Sequence, residues 1–290
     1  KNVKFGDQKY KMDRGFAWEY RLLEITDSIF YRRLADYRAL EYESKMPLMI
    51  LSPMVINAGR RMLISPQPIS FLARNYNPYS SNPSYEIDGI EFMRFFEKQQ
   101  AGNLPFSTAL RMSATFPYIT PLVSLPSEPR IDLIDAGARD NDGFSLGLRF
   151  MYEFDDWIEE NTDGVVVVKL LANREQEVKI KENSEKTRLD GLTKPINGVV
   201  SSFNNLQGFR YSEDLKNAES WIDFDLDIYS LELLSKEEDI SLSWHLTKKE
   251  KEQIYKRSKS PKIENQMQYI KGLLKTTEDD STRVLAQGLY

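Results

Sequence analysis

The chain has 290 residues, 41% hydrophobic and 29% charged, a balance that folds as a globular protein and excludes a disordered tail or a fibrous repeat. It has no cysteine, which excludes disulfides, thiolate zinc sites, iron–sulfur clusters and a cysteine nucleophile while leaving the redox compartment open. With 39 Lys and Arg against 44 Asp and Glu the net charge is −5, and no basic run is dense enough along the sequence to track a phosphate backbone, which argues against nucleic acid as a partner. The longest apolar runs, Val165–Val168 and Met46–Ile56, fall far short of the roughly 20 residues that span a bilayer. The chain opens on Lys1 with no charged-then-apolar leader pattern, so further polypeptide upstream of Lys1 is expected.

Between Tyr20 and Glu43 apolar residues recur at intervals of three and four (Leu22, Ile25, Ile29, Leu34, Tyr37, Leu40), which predicts one long amphipathic helix. Leu48–Ile56 and Arg61–Ser65 are β-rich runs around Asn57-Ala58-Gly59-Arg60, where Asn and Gly tolerate positive φ; a hairpin is predicted. Asn75–Ser84 is rich in Asn, Pro, Ser and Tyr and reads as a surface loop. Two short helices follow, over Ile90–Glu97 and Ser107–Phe116, the second opened by Pro105 and closed by Pro117. Ile131–Asp135 reads as a strand, Ala136–Gly143 as a turn and Leu146–Glu160 as a helix. Val165–Leu171, apolar except for Lys169, reads as a parallel strand covered on both faces, completing a βαβ unit with right-handed crossover. Residues 174–197 turn polar and mixed in charge, a long excursion. Ser220–Tyr229 alternates Ile222, Phe224, Leu226 and Ile228 with Asp223, Asp225 and Asp227, giving a strand with an acidic face. Leu246–Arg257 and Ile263–Leu274 read as closing helices, and 276–290 as a polar tail.

The stretch that bears most on function runs from Leu110 to Gly143. It contains Ser113-Ala114-Thr115-Phe116-Pro117 and then Asp135-Ala136-Gly137-Ala138-Arg139-Asp140-Asn141. A carboxylate at the carboxyl end of a strand, followed by small residues, sits where open α/β sheets place their ligand crevice. The stretch resembles the C-terminal half of the patatin-like phospholipase catalytic domain, which carries an Ala-Ser-Ala-x-Phe-Pro-like helix end and then Asp-Gly-Gly or Asp-Gly-Ala with Asn a few residues on. The resemblance extends more weakly over residues 20–275, through Leu48–Ser65, Val165–Leu171 and Ser243–Thr247. It implies a three-layer α/β/α sandwich, here its later half plus C-terminal helices over 1–275, and a Ser-Asp dyad that hydrolyses lipid acyl esters. Asp135 then maps onto the base, Gly137 and Asn141 shape its turn, and Phe116 and Pro117 line the acyl path. Two departures stand out: Ala136 replaces the usual Gly, and Gly143 a frequent Pro. The family's glycine-rich oxyanion loop and its G-x-S-x-G nucleophile elbow precede this region, and nothing before Leu48 fits either, so serine and oxyanion amides are expected upstream of Lys1.

One aspartate suffices for such chemistry, because a partly desolvated carboxylate gains basicity and can take the proton of an attacking hydroxyl. The structural alternative for Asp135 is a turn carboxylate that accepts backbone N–H bonds. Gly143-Phe144-Ser145-Leu146-Gly147 is a literal G-x-S-x-G, and with His245 downstream it has the chain order of an α/β-hydrolase. An elbow needs a strand running straight into the serine, whereas the predicted strand ends near Asp135; helix initiation is the favoured role of Ser145. His245, the single histidine, reads as a packed imidazole before a helix capped by Thr247. Asp140 and Asp142 fail the EF-hand pattern, which requires an acid at Ala138 and Glu at Arg149. Asp223, Asp225 and Asp227 read as a solvated strand edge, and Phe92–Phe96 as core.

The sequence thus predicts an α/β protein that supplies the Asp of a lipid acyl hydrolase, with no cofactor and no metal. Its partners are an acyl-ester substrate and the upstream segment that carries the serine. The rival readings are a catalytically silent interaction module of the same fold and a self-contained Ser145/His245 hydrolase. The location is soluble or membrane-peripheral with the cytoplasm favoured, and the net acidic chain predicts at most weak attraction to anionic bilayers.

Overall fold

The computed structural model describes residues 2–5, 8–11, 13–74, 87–116, 120–171, 206–232 and 246–284. The predicted loop at 75–84, the excursion at 174–197, Pro117 and His245 lie outside them. Helices and strands mix in an α/β arrangement, and the chain divides into two compact units. One comprises Lys1–Arg149 with Pro195–Phe209, the other Phe150–Lys194 with Arg210–Tyr290.

In the first unit β1 (Asn2–Phe5) and β2 (Gln8–Lys11) form an antiparallel hairpin. α1 (Arg14–Ile25) follows, its first turn capped by Asp13, whose side chain accepts from Phe16 N–H at 2.8 Å. The single long helix expected over Tyr20–Glu43 is broken. Thr26-Asp27-Ser28 are weak helix formers, Asp27 and Ser28 take left-handed φ of 47° and 60°, and Ser28 N–H closes back on Leu23 C=O at 2.7 Å. After a 3₁₀ turn over Ile29–Tyr31, α2 (Leu34–Tyr42) starts behind Arg33, whose backbone N–H donates to Asp36.

A five-stranded mixed sheet has the order β5-β4-β3-β7-β6, from β3 (Met54–Val55), β4 (Arg60–Leu63), β5 (Gly89–Glu91), β6 (Val123–Leu125) and β7 (Ile131–Ile134). β4 and β5 are parallel, and the other pairs are antiparallel. The predicted hairpin is β3–β4, with Gly59 supplying the left-handed residue of its turn at φ 62°. Strand alternation sorts β4 into two faces. Met62, with Ile64 just beyond the strand, enters a core of Leu34, Tyr37, Phe92, Phe106, Met112 and Leu133, contributed by α2, α3 (Phe92–Phe95), α4 (Phe106–Ser113) and the sheet. Burial of each such large side chain contributes about 1.5–3 kcal/mol. Arg61 lies on the opposite face, toward the start of α5 (Phe144–Glu153).

Only Phe92–Phe95 of the predicted Ile90–Glu97 helix is α-helical, because Gly89–Glu91 pairs with β4. The predicted Leu146–Glu160 helix is two, α5 and α6 (Asp155–Asn161).

In the second unit β8 (Val165–Leu171) and β9 (Leu226–Glu232) pair in parallel. The expected βαβ unit is not formed, since β7 and β8 belong to different sheets. Nor is β8 covered on both faces: Leu170 is 72% exposed, whereas Lys169 is 4% exposed beneath the Tyr211 ring, 4.0 Å from its centroid. Asp223 and Asp225, expected within a strand, precede β9 and are exposed. Helix α7 spans residues 206–218, α8 Lys248–Ser258 and α9 Pro261–Val284, the last running beyond its predicted end at Leu274.

Candidate functional site

Asp135 is the first residue after β7, at the point where the strand gives way to a 3₁₀ turn over Ala136–Ala138. Its N–H donates to Thr115 C=O at 2.8 Å, which brings together the two halves of the motif read from the sequence. Thr115 is itself buried, its hydroxyl donating to Arg111 C=O at 2.7 Å. Phe116, half-buried, is fastened to Thr120 by its N–H on Thr120 Oγ1 at 3.1 Å.

The carboxylate is held by one oxygen only. Oδ1 accepts from Gly137 N–H at 2.7 Å, and Oδ2 makes no hydrogen bond among the described residues. Gly137 gives both side chains room: a Cβ would sit 2.7 Å from Asp135 Oδ1 and Asn141 Oδ1, so at least one of them would have to move. Burial pushes the Asp135 carboxyl above the ordinary carboxylate range, against a smaller lowering by the Gly137 N–H.

The turn is closed by a residue the sequence did not suggest. Gln207 donates through Nε2 to Gly137 C=O at 2.8 Å, and its Oε1 accepts from Asn141 N–H at 2.7 Å. A single carboxamide thus spans the Asp135–Asn141 loop, and no pattern near Gln207 marks it.

Beneath the turn lies a buried ion-pair lattice, also unpredicted. Arg61, 1% exposed, pairs with Asp88, with Asp140 at 3.3 Å, and donates to Ser145 Oγ at 3.1 Å. Arg139 and Arg149 also pair with Asp88, which is 8% exposed. Arg139 reaches Gly59 C=O as well, and Arg149 donates to Leu72 C=O at 2.8 Å. Burial raises the Asp88 carboxyl, but the three guanidinium groups outweigh it and hold it below its ordinary range. Asp140 accepts from Leu146 N–H at 3.0 Å, satisfying an otherwise unpaired donor of the first turn of α5.

The geometry at Gly143–Gly147 is not that of a nucleophile elbow. Ser145 is the second residue of α5, ten residues beyond Asp135, no strand runs into it, and its hydroxyl accepts from the buried Arg61. Asp140 is an ion-pair partner of Arg61 and caps the first turn of α5. Among the described residues no group of three His, Asp or Glu is arranged to hold a metal ion, and no helix is long and apolar enough to cross a membrane.

Asp135 lines neither of two clefts found among the described residues. One, of about 520 Å³, is lined by Phe95, Phe96, Gln99, Pro126, Ser127 and Glu128. The other, of about 430 Å³, lies in the second unit between Leu215, Glu219, Ile222, Leu226 and Ile228. Phe95 and Phe96 therefore line a surface cleft in addition to packing on each other at 4.9 Å. Comparison of the chain with protein-family models, with curated proteins and with solved structures yields no match.

Proposed function

We propose that this chain carries the general base of a Ser-Asp acyl hydrolase of the patatin-like kind, acting on lipid carboxylic esters, with Asp135 as base. The observation that carries the reading is the asymmetry of that carboxylate: one oxygen is fixed by Gly137 N–H, and the other is unengaged among the described residues, with no cation beside it. Asp88 and Asp140 in the same unit are instead consumed by arginines.

A carboxylate neutralised by arginine is a poor proton acceptor, whereas a partly dry, cation-free one has the raised basicity that a serine hydroxyl needs. In the proposed step Oδ2 of Asp135 receives the hydroxyl proton as the serine oxygen attacks the ester carbonyl. The alcohol leaves with that proton, and water then releases the acyl group by the reverse transfer. The serine and the oxyanion amides come from polypeptide outside these residues. Phe116 belongs to the apolar wall of this reading, and Gly137 and Asn141 keep the turn of the base tight.

The test is hydrolysis of a short acyl ester by the native polypeptide containing this chain. Asp135→Asn should remove activity by at least about 10³-fold with the fold retained, since losing a triad or dyad member leaves only binding and oxyanion contributions. Activity within tenfold of wild type rejects the assignment.

The second reading is a silent interaction module, favoured by the place of Asp135 outside both clefts. A serine-reactive fluorophosphonate separates the two. The native polypeptide labels under the hydrolase reading and stays unlabelled under the module reading.

A further inference from the structure

Between Lys248 and Lys262 the sequence interleaves seven Lys and Arg with two Glu, a local charge of +5 in a chain whose total is −5. Along the sequence these charges look dispersed. Wound into α8 at 3.6 residues per turn they are not: Lys248, Lys249, Lys251, Tyr255 and Lys256 share the exposed side, while Ile254 and Arg257 turn inward and are half-buried. The Lys248 side chain is 92% exposed and Tyr255 68%. Glu252 is the one acid among them, 3.8 Å from Lys248 and itself exposed, a pairing that water and salt leave weak. Lys259 and Lys262, both exposed, carry the same sign past the end of α8 into the first turn of α9.

The helix is firmly built. Thr247 Oγ1 accepts from Glu250 N–H at 3.2 Å, and the Glu250 carboxylate accepts from Thr247 N–H at 2.6 Å, a reciprocal cap that fixes where the basic face begins.

We infer that the exposed face of α8 docks on an anionic lipid surface, its lysines meeting headgroup charge and Tyr255 seated at the water–lipid boundary. The outward cations are all lysines, point charges on flexible stems that suit a fluid array of headgroups, while the single arginine, whose fork would read a fixed phosphate or base edge, is half-buried. One tyrosine among lysines matches an interfacial helix, in which an amphipathic ring sits at headgroup level. A single-stranded nucleic acid would call for a groove or several stacking rings, and α8 offers a convex face with one ring. The remainder of the chain is net −10, so the charge that favours such a surface is concentrated locally on this face rather than carried by the chain as a whole. The choice of lipid as the polyanion rests on the lipid-ester reading, and the docking surface goes beyond it.

The test is co-sedimentation of the 290-residue chain with phosphatidylcholine vesicles, with and without about one-third phosphatidylserine. Binding is expected only with phosphatidylserine, and it should be lost at about 1 M salt, where the screening length falls to about 3 Å. Each lysine near such a surface contributes about fivefold in partitioning, so K248Q/K249Q/K251Q/K256Q should weaken it by at least about 100-fold with its helical circular dichroism intact. The milder K249E/K256E should weaken it comparably. Equal binding to both vesicles, binding that survives high salt, or variants that bind like wild type would overturn the inference. So would tighter binding to a short oligonucleotide at the same salt, which would give the face to nucleic acid. No hydrolysis enters this readout. A chain that docks while Asp135→Asn leaves esterase activity intact refutes the dyad alone, and a chain that fails to dock while that substitution abolishes activity refutes the docking face alone.

Discussion

Asp135 and Asp88 are carboxylates of the same unit displaced in opposite directions: burial raises Asp135, whereas three arginines overcome burial and lower Asp88. For Asp135 the folded state favours the protonated acid, so its stabilising contribution is present below the ordinary value of 3.8 and is lost as pH rises through the raised one. For Asp88 the contribution is present above 3.8 and disappears as pH falls through its lowered value. At neutral pH Asp135 is therefore a cost to stability. Asp135→Asn, which keeps an acceptor for Gly137 N–H, should stabilise the chain by about 1 kcal/mol at pH 7, as removal of a functional carboxylate commonly does. Urea unfolding at pH 7 and at pH 3 measures this, and a destabilised variant at pH 7 would contradict the raised basicity on which the dyad depends.

Arg61 should be the most sensitive position in the lattice. Arg61→Leu leaves Asp140 without its arginine and removes one of three from Asp88, both within the folded interior. Breaking one partner out of a buried pair costs about 3–5 kcal/mol, because the remaining charge is stranded. Arg139→Leu, at a position 16% exposed and with two arginines still on Asp88, should cost less. Denaturant midpoints rank the two, and the reverse order would mean that the lattice is not centred on Arg61.

What could be read from the sequence was what is local. The β3–β4 turn is written in Asn57–Arg60, the start of α4 in Pro105, the cap of α8 in Thr247, and the strand before Asp135 in Ile131–Ile134. What could not be read was pairing at a distance. Arg61 meets Asp88 across 27 residues and Gln207 meets Gly137 across 70, with no motif at either end. β8 is the parallel strand expected over Val165–Leu171, but its burial could not be read, because an almost uniform apolar run carries no phase to say which alternate set faces inward. The buried member was Lys169, whose cation lies 4.0 Å from the centroid of the Tyr211 ring. The break after Ile25 was written in Thr26-Asp27-Ser28, but apolar periodicity continued across it.

A side chain at Gly137 is accommodated only by movement of its neighbours. A methyl group there must displace Asn141 Oδ1 or the Asp135 carboxylate, each 2.7 Å from where it would lie. Gly137→Ala should cost about 1–3 kcal/mol, the usual penalty of overpacking. It should also lower turnover at saturating substrate more than it raises KM, because the displaced group is the base and not an acyl contact. A variant with wild-type stability and kcat would show that the turn opens freely.

Gln207 offers the sharpest separation of position from mere stability. Its carboxamide holds both sides of the loop, so Gln207→Leu leaves the Gly137 carbonyl and the Asn141 N–H without their partner. Loss of such bonds costs about 1–3 kcal/mol where water cannot substitute fully. Gln207→Glu keeps the acceptor for Asn141 but loses the donor to Gly137, and it sets a second negative charge near Asp135. Like charge disfavours ionisation, so in this variant the Asp135 carboxyl should titrate higher than in wild type, whereas in Gln207→Leu any change follows from loosening of the turn. Carbon-13 NMR of the aspartate carboxyl groups across pH reads this directly, without any need for catalysis. An Asp135 titration identical in wild type and Gln207→Glu would place the Gln207 side chain away from the turn in solution.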